Sequence, residues 1–145
     1  MRDLITTQAV PKRAYAPLSL TSASESTAGT AIDTTGYTDI IFECHSAAGA
    51  STDVLWTVKA SATSGGTYVA ITGATATVAV ADTAKIQLIR VNLTGQNNYP
   101  GTTKAFYKIF PTPSTTTATI CSATAWLCNG QTTKPESQDL TVVNA

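Results

Sequence analysis

The chain has 145 residues, of which 28 are threonine and 22 are alanine, while only 12% are charged. Nine acidic residues balance nine basic ones, and there is a single histidine, so the formal net charge is zero and the pI is near 6.5. These values exclude a nucleic-acid-binding protein, because phosphate recognition needs a concentrated basic surface. They also leave few of the side chains that perform catalysis. Threonine is β-branched and favours strands, so the composition indicates a β-rich domain.

The first 20 residues predict neither a membrane span nor a secretory signal. No apolar run approaches the roughly 18–20 residues that a transmembrane helix requires. Asp3, Lys12 and Arg13 interrupt the segment where a signal peptide would have its apolar region. We therefore expect synthesis in the cytoplasm and no membrane partner.

The chain then breaks into short strand-like runs. Residues 1–17 predict an extended arm, because Pro11 and Pro17 favour extended backbone before them and no helical period is present. Alternation of apolar and polar residues predicts the following strands, with glycine or proline turns between them: 18–21, 38–46, 53–61, 67–71, 74–81, 85–93, 104–110 and 115–127. Gly73 is expected to separate two of these runs, and Pro111 and Pro113 to end another. Residues 140–143 could add one more strand.

This spacing predicts an all-β fold: a single antiparallel β-sandwich, jelly-roll or immunoglobulin-like, of about seven to eight strands. A closed barrel remains open as an alternative. The domain is predicted over residues 18–128, with an N-terminal arm at 1–17 and a C-terminal arm at 129–145. The predicted core consists of the apolar residues that alternate within the strongest runs: Ile40, Phe42, Trp56, Val58, Tyr68, Ile86, Leu88, Phe106, Ile109 and Ile120.

No arrangement of residues predicts an active site or a bound cofactor. His45 and Glu43 share one face of a strand, but a lone histidine at a strand end is usually a surface or hydrogen-bonded residue. The three cysteines at 44, 121 and 128 cannot all pair, and no Cys-x-x-Cys or paired histidine offers a metal site. We therefore expect free thiols, no metal, no cofactor and no catalysis.

Function is then expected to come from the surface, through association with other protein chains. A near-zero net charge favours self-association, which predicts a homo-oligomer, either a trimer or a dimer. Both termini are rather apolar for solvated tails, and one tyrosine lies in the loop of residues 94–103. The candidate interface residues are Leu4, Ile5, Val10, Tyr15, Tyr99, Leu140, Val142 and Val143.

One hairpin carries a resemblance to a known class of proteins. The strand Trp56-Thr57-Val58-Lys59-Ala60-Ser61 runs through Ser64-Gly65-Gly66 into Thr67-Tyr68-Val69-Ala70-Ile71, with Gly36-Tyr37 before it and Arg90-Val91 after it. Over residues 36–93 this resembles small β-sandwich virion proteins of tailed bacteriophages, such as capsid decoration, head-fibre base and minor tail proteins.

The resemblance implies a non-enzymatic structural role in a virion. The function expected first is a capsid decoration protein that binds the outer lattice, with the major capsid protein or another virion protein as partner. The competing expectation is a host-recognition or carbohydrate-binding module of a phage tail or a bacterial surface.

Overall fold

The computed structural model describes residues 9–47, 52–79, 86–93 and 105–128. They form eight strands: β1 Ala9–Leu20, β2 Ile32–Asp33, β3 Asp39–Ser46, β4 Val54–Ser61, β5 Val69–Val78, β6 Gln87–Asn92, β7 Phe106–Pro113 and β8 Thr119–Cys128. Within these ranges no helix has the length and apolar character needed to cross a membrane.

The strands form two four-stranded sheets, which confirms the predicted sandwich. One sheet has the order β1-β8-β3-β6 and is called the β8 sheet here; the other has the order β2-β7-β4-β5 and is called the β4 sheet. Every pair of neighbouring strands is antiparallel. The inner faces of the two sheets enclose a single apolar core, as alternation within each strand requires.

Five of the predicted core residues occupy the centre of the sandwich. Ile40, Phe42, Trp56, Val58 and Ile109 are all fully buried, as alternation in β3, β4 and β7 predicted. These residues therefore confirm the period-two interpretation of the strongest runs.

Three predicted core residues lie instead on the outside. Ile86, Leu88 and Ile120 are 55%, 64% and 52% exposed. In β6 both faces are apolar, and the structure turns Ile89 and Val91 inward, so Leu88 faces out. In β8 the inner face carries the small residues and Leu127, which leaves Ile120 outside, on the same face as Trp126.

Tyr68 and Phe106 are half-buried, so they also leave the predicted core. Tyr68 lies just before β5, where its ring contacts the ring of Phe110 with centroids 6.0 Å apart. Phe106 begins β7, and its neighbour Tyr107 takes the fully buried position. Tyr107 therefore fills the interior position next to Phe106, whereas Tyr68 packs with Phe110 on the outer side of the β4 sheet.

The arm predicted over residues 1–17 is wrong from residue 9 onward, because residues 9–17 belong to β1. Among the described strands it pairs only with β8, and its register shifts between Arg13 and Tyr15 and again between Tyr15 and Leu18. It forms the edge of its sheet. Prolines are tolerated in edge strands and at bulges, which explains how Pro11 and Pro17 occur in a strand.

Two predicted strand ends also proved to be interior positions. Gly73 lies inside β5 and does not break it. The pairing with β4 is irregular between Thr57 and Lys59, and at this irregularity glycine adopts a positive φ of 80°. Pro111 does not end β7. Its carbonyl oxygen accepts a hydrogen bond from the Ser26 amide at 2.9 Å, so its nitrogen, which lacks a proton, points away from β4.

Candidate functional site

Most of the predicted interface residues lie outside the described ranges, where the predictions remain untested. They are Leu4, Ile5, Tyr99, Leu140, Val142 and Val143.

The two that are described belong to β1 and pack toward the interior. Val10 is half-buried and contacts the core cluster. Tyr15 is 1% exposed, and its ring meets the ring of Trp56 edge-on with centroids 6.1 Å apart. Its hydroxyl forms a hydrogen bond with the Ser26 hydroxyl. Tyr15 is therefore a core residue and not an interface residue, because the bulges of β1 turn its side chain inward.

The outer face of the β8 sheet presents large apolar side chains beside charged ones. Leu88 and Ile120 are exposed there, and Ile86 precedes β6 with the same alternation as Leu88. Ile41 and Trp126 are half-buried neighbours in the β3–β8 register. We call this surface the β8 face, and its members are Arg13, Ile41, Glu43, His45, Ile86, Leu88, Arg90, Ile120, Ser122, Thr124 and Trp126.

Glu43 contacts two other side chains of the β8 face. Its Oε2 accepts a hydrogen bond from Trp126 Nε1 at 2.9 Å, and its Oε1 lies 3.1 Å from His45 Nε2. The predicted common face of Glu43 and His45 is thus observed. The partner Trp126 was not predicted, because it lies 83 residues away and only the β3–β8 register brings it close.

This cluster fixes an indole ring and offers no metal site. Both carboxylate oxygens of Glu43 are engaged by neighbouring side chains. Among the described residues, no group of three or more histidine, cysteine, aspartate or glutamate side chains could hold a metal ion. The arrangement therefore orients Trp126 on the surface.

A buried ion pair ties the same face to β6. Asp39 is 5% exposed, and its Oδ1 accepts hydrogen bonds from Arg90 Nε at 3.0 Å and Nη2 at 2.8 Å. The two bonds converge on one carboxylate oxygen and hold the guanidinium in a defined place. Arg90 stays largely exposed, so it presents a fixed positive charge at one end of the β8 face.

The cysteines are free thiols, as predicted, and two of them are buried. Burial raises the pKa of Cys121 to about 11, and burial, reinforced by the neighbouring Cys121 and Glu43, raises the pKa of Cys44 further. Burial also raises the pKa of Cys128. Because the thiolate is the nucleophile and the metal ligand, the two buried thiols should react slowly near neutral pH.

A second surface feature lies on the outer side of the β4 sheet. Lys59 and Lys108 stand opposite each other in the β4–β7 register, beside Tyr68 and Phe110. They open onto a cleft of about 310 Å³. We call it the lysine cleft, and it is lined by Glu25, Thr27, Lys59, Ser64, Gly65, Gly66, Tyr68, Lys108 and Phe110.

The lysine cleft was not predicted from the sequence. Each lysine interrupts an otherwise apolar strand, between Val58 and Ala60 or between Tyr107 and Ile109. The sequence therefore indicated one outward charge in each strand. It did not indicate that the two lysines are neighbours, because this depends on the register between residues 49 positions apart.

No protein-family model matches the chain, and no curated protein sequence matches it. Among solved structures it is similar to the PBSX exported protein XepA, with a TM-score of 0.54 and 12% identity over 94% of this chain. The chain spans 43% of the length of that protein. A second similar structure is the xylanase 10B of Clostridium thermocellum, containing CBM22-1 and GH10 modules with bound xylohexaose. There the TM-score is 0.44 with 11% identity, over 90% of this chain and 28% of the other. At such low identity, the likeness to XepA shows that the two chains share a fold.

Proposed function

We propose that this chain is a non-enzymatic structural protein of a tailed-phage virion, specifically a capsid decoration protein that binds the outer lattice as an oligomer. The observation that carries the proposal is the β8 face. Leu88 and Ile120 are 64% and 52% exposed there, and the same face carries half-buried Ile41 and Trp126. Large apolar side chains gathered on one outer sheet face are typical of a surface that a partner covers.

The partner proposed for the β8 face is a second copy of the chain. The formal net charge of zero removes long-range repulsion between copies. Arg13 and Glu43 lie in one cross-strand row on either side of Thr124. When two copies pack face to face about a two-fold axis at Thr124, the row of one copy runs opposite to the row of the other. Arg13 of each copy would then meet Glu43 of the other. The face is therefore complementary to itself in both charge and apolar character.

The non-enzymatic part of the proposal is supported by the state of the reactive groups. Cys44 and Cys121 are buried with raised pKa values, and Glu43 has both oxygens engaged. His45, the one histidine of the chain, contacts this same carboxylate. General acid–base catalysis needs such groups within reach of a substrate proton.

The proposal is tested by the mass of the assembly in solution. Light scattering coupled to size exclusion should show an oligomer for the chain alone, and co-sedimentation should show binding to empty capsids. Leu88→Lys should dissociate the oligomer, and it should preserve the fold because it places an ammonium opposite Glu43. Leu55→Lys is the matched control, since Leu55 is also an exposed leucine but lies on the β4 sheet.

Three results decide between the parts of the proposal. A monomeric parent that does not bind capsids would overturn the function. If the parent is an oligomer but Leu88→Lys assembles like the parent, the β8 face is not the interface. If deletion of residues 1–8 abolishes capsid binding while the oligomer persists, the N-terminal segment makes the capsid contact. The deletion stops at residue 8 because residues 9–17 belong to β1.

One observation favours the competing function, a carbohydrate-binding module. Trp126 is a half-buried aromatic residue on an outer sheet face, and Glu43 holds its indole nitrogen in place. A fixed indole can stack on a sugar ring, as aromatic platforms do for other flat ligands. Retardation in affinity gels containing polysaccharide, lost in Trp126→Ala and retained in Leu55→Lys, would favour this alternative.

A further inference from the structure

The lysine cleft places two positive charges side by side. Lys59 and Lys108 are direct cross-strand partners in the β4–β7 register. Side chains at such positions have Cβ atoms about 4.5–5.5 Å apart, and like charges there are destabilising. The fold therefore holds an unfavourable charge pair at this position, which a bound anion would relieve.

Aromatic rings hold both ammonium groups in the cleft. Lys59 Nζ lies 4.7 Å from the centroid of the Phe110 ring, and Lys108 Nζ lies 5.6 Å from the same centroid. Lys108 Nζ is also 5.2 Å from the centroid of the Tyr68 ring. Cation–π contacts at these distances are attractive. They keep two flexible side chains in defined positions, which lowers the entropy cost of binding a ligand.

The cleft holds one carboxylate for its two ammonium groups. Glu25 accepts a hydrogen bond from Lys59 Nζ at 2.6 Å. Lys108 Nζ donates to the carbonyl oxygen of Thr27 at 3.3 Å and has no ion pair among the described residues. The residues that line the cleft therefore carry one excess positive charge. The Glu25 contact also shows that a carboxylate fits beside these lysines.

The shape of the cleft leaves room for a small group. Its volume of about 310 Å³ lies at the lower end of the range for ligand sites. The turn at Ser64–Gly66 forms one wall, and a Cβ placed on Gly65 would meet no atom within 4 Å. That wall is therefore open to solvent, and a ligand can enter there.

We propose that the lysine cleft binds the carboxylate group of an acidic ligand. Lys108 is its main ion-pair partner, Lys59 its second, and Glu25 an internal carboxylate that competes for Lys59. The source of the carboxylate is either an acidic sugar or an acidic side chain of a polypeptide. This inference is independent of the β8 face, which lies on the other sheet.

The test is a titration of the full-length chain followed by the backbone amide signals of Gly65 and Gly66. Sodium acetate and sodium glucuronate are the probes, each titrated against sodium chloride at constant ionic strength. We expect saturable shifts with a dissociation constant in the range of about 1–10 mM, as for other weak small-ligand contacts. Tighter binding of glucuronate than of acetate identifies an acidic sugar as the source, and equal binding identifies a side-chain carboxylate.

Four variants separate a local site from general charge. Lys108→Gln should weaken binding about tenfold or more, the loss expected for one charge-assisted hydrogen bond, and Lys108→Arg should retain it. Glu25→Gln should strengthen binding severalfold, because it removes the competing carboxylate. Lys12→Gln removes the same charge from the other sheet and should leave binding unchanged.

Two results would overturn the inference. One is the absence of saturable shifts with either probe in both the parent and Glu25→Gln. The other is equal weakening in Lys108→Gln and Lys12→Gln, which would mean that the anions respond only to the total charge. The amide spectrum of each variant also reports whether the fold is intact, so loss of binding is not confused with unfolding.

Discussion

Trp56 offers a sharp test of how the sandwich core is held together. Its side chain is fully buried in β4, and its indole nitrogen Nε1 has no hydrogen-bond partner among the described residues. The ring of Tyr15 meets it edge-on. Trp56 therefore combines a large favourable burial with one buried polar group that is not satisfied.

These two features predict different results for two substitutions. Trp56→Ala should lower the free energy of unfolding by about 3–5 kcal/mol, the usual cost of removing a large buried aromatic side chain. Trp56→Phe removes two apolar carbon atoms, worth about 1.6 kcal/mol at ~0.8 kcal/mol each. It also removes the unpaired N–H, whose burial costs about 1–3 kcal/mol. We therefore expect Trp56→Phe to lie within ~1 kcal/mol of the parent.

The assay is urea unfolding followed by far-ultraviolet circular dichroism, since fluorescence would lose one of its two tryptophans. The midpoint and slope give the free energy of unfolding by linear extrapolation. Trp126→Phe is the matched control, because its Nε1 donates a hydrogen bond to Glu43. The same substitution there should cost about 1–2 kcal/mol, since it breaks a bond to a charged acceptor.

The result that would refute this reasoning is a Trp56→Phe variant as unstable as Trp56→Ala. That outcome would mean that the Trp56 nitrogen has a partner in solution. A cost below about 1 kcal/mol for Trp56→Ala would instead remove Trp56 from the core altogether.

Three further predictions follow from the buried polar groups. Because the folded Cys121 thiol stays protonated up to about pH 11, while its ordinary pKa is 9.0, stability should be complete below pH 9.0 and fall as the pH rises toward 11. The free energy of unfolding should fall by ~1.4 kcal/mol per pH unit for this thiol. Measured by urea unfolding, it should depend less on pH in Cys121→Ala, and an unchanged pH dependence would contradict the assignment. Iodoacetamide under native conditions should alkylate half-buried Cys128 before Cys44 and Cys121, which mass spectrometry of peptides can check; equal rates would mean that the core opens. Arg90→Ala should lower the free energy of unfolding by about 1–3 kcal/mol, because it leaves the Asp39 carboxylate buried without its guanidinium. Arg90→Lys should recover part of the lost free energy of unfolding. An Arg90→Ala variant as stable as the parent would show that the ion pair does not stabilise the fold.

The candidate sites show why sequence reasoning found single residues but not their partners. Glu43 and His45 were placed on one face because they are two positions apart in one strand. Trp126 lies 83 residues from its partner Glu43, and Lys108 lies 49 residues from Lys59. Each pair is brought together only by the pairing of two strands. Alternation assigns a residue to one of two faces, but it does not specify which residue of another strand stands opposite.

The sequence by itself determined the fold class and the positions of most strands. Alternation in β3 and β4, with the scarcity of charges, was sufficient for this, because period two is a local property of the chain. Only the tertiary structure decided which face of β6 and β8 is buried, since both faces carry apolar residues or small ones. It also decided that residues 9–17 form an edge strand. Pro11 and Pro17 indicated a segment outside the sheet, but prolines are tolerated in edge strands.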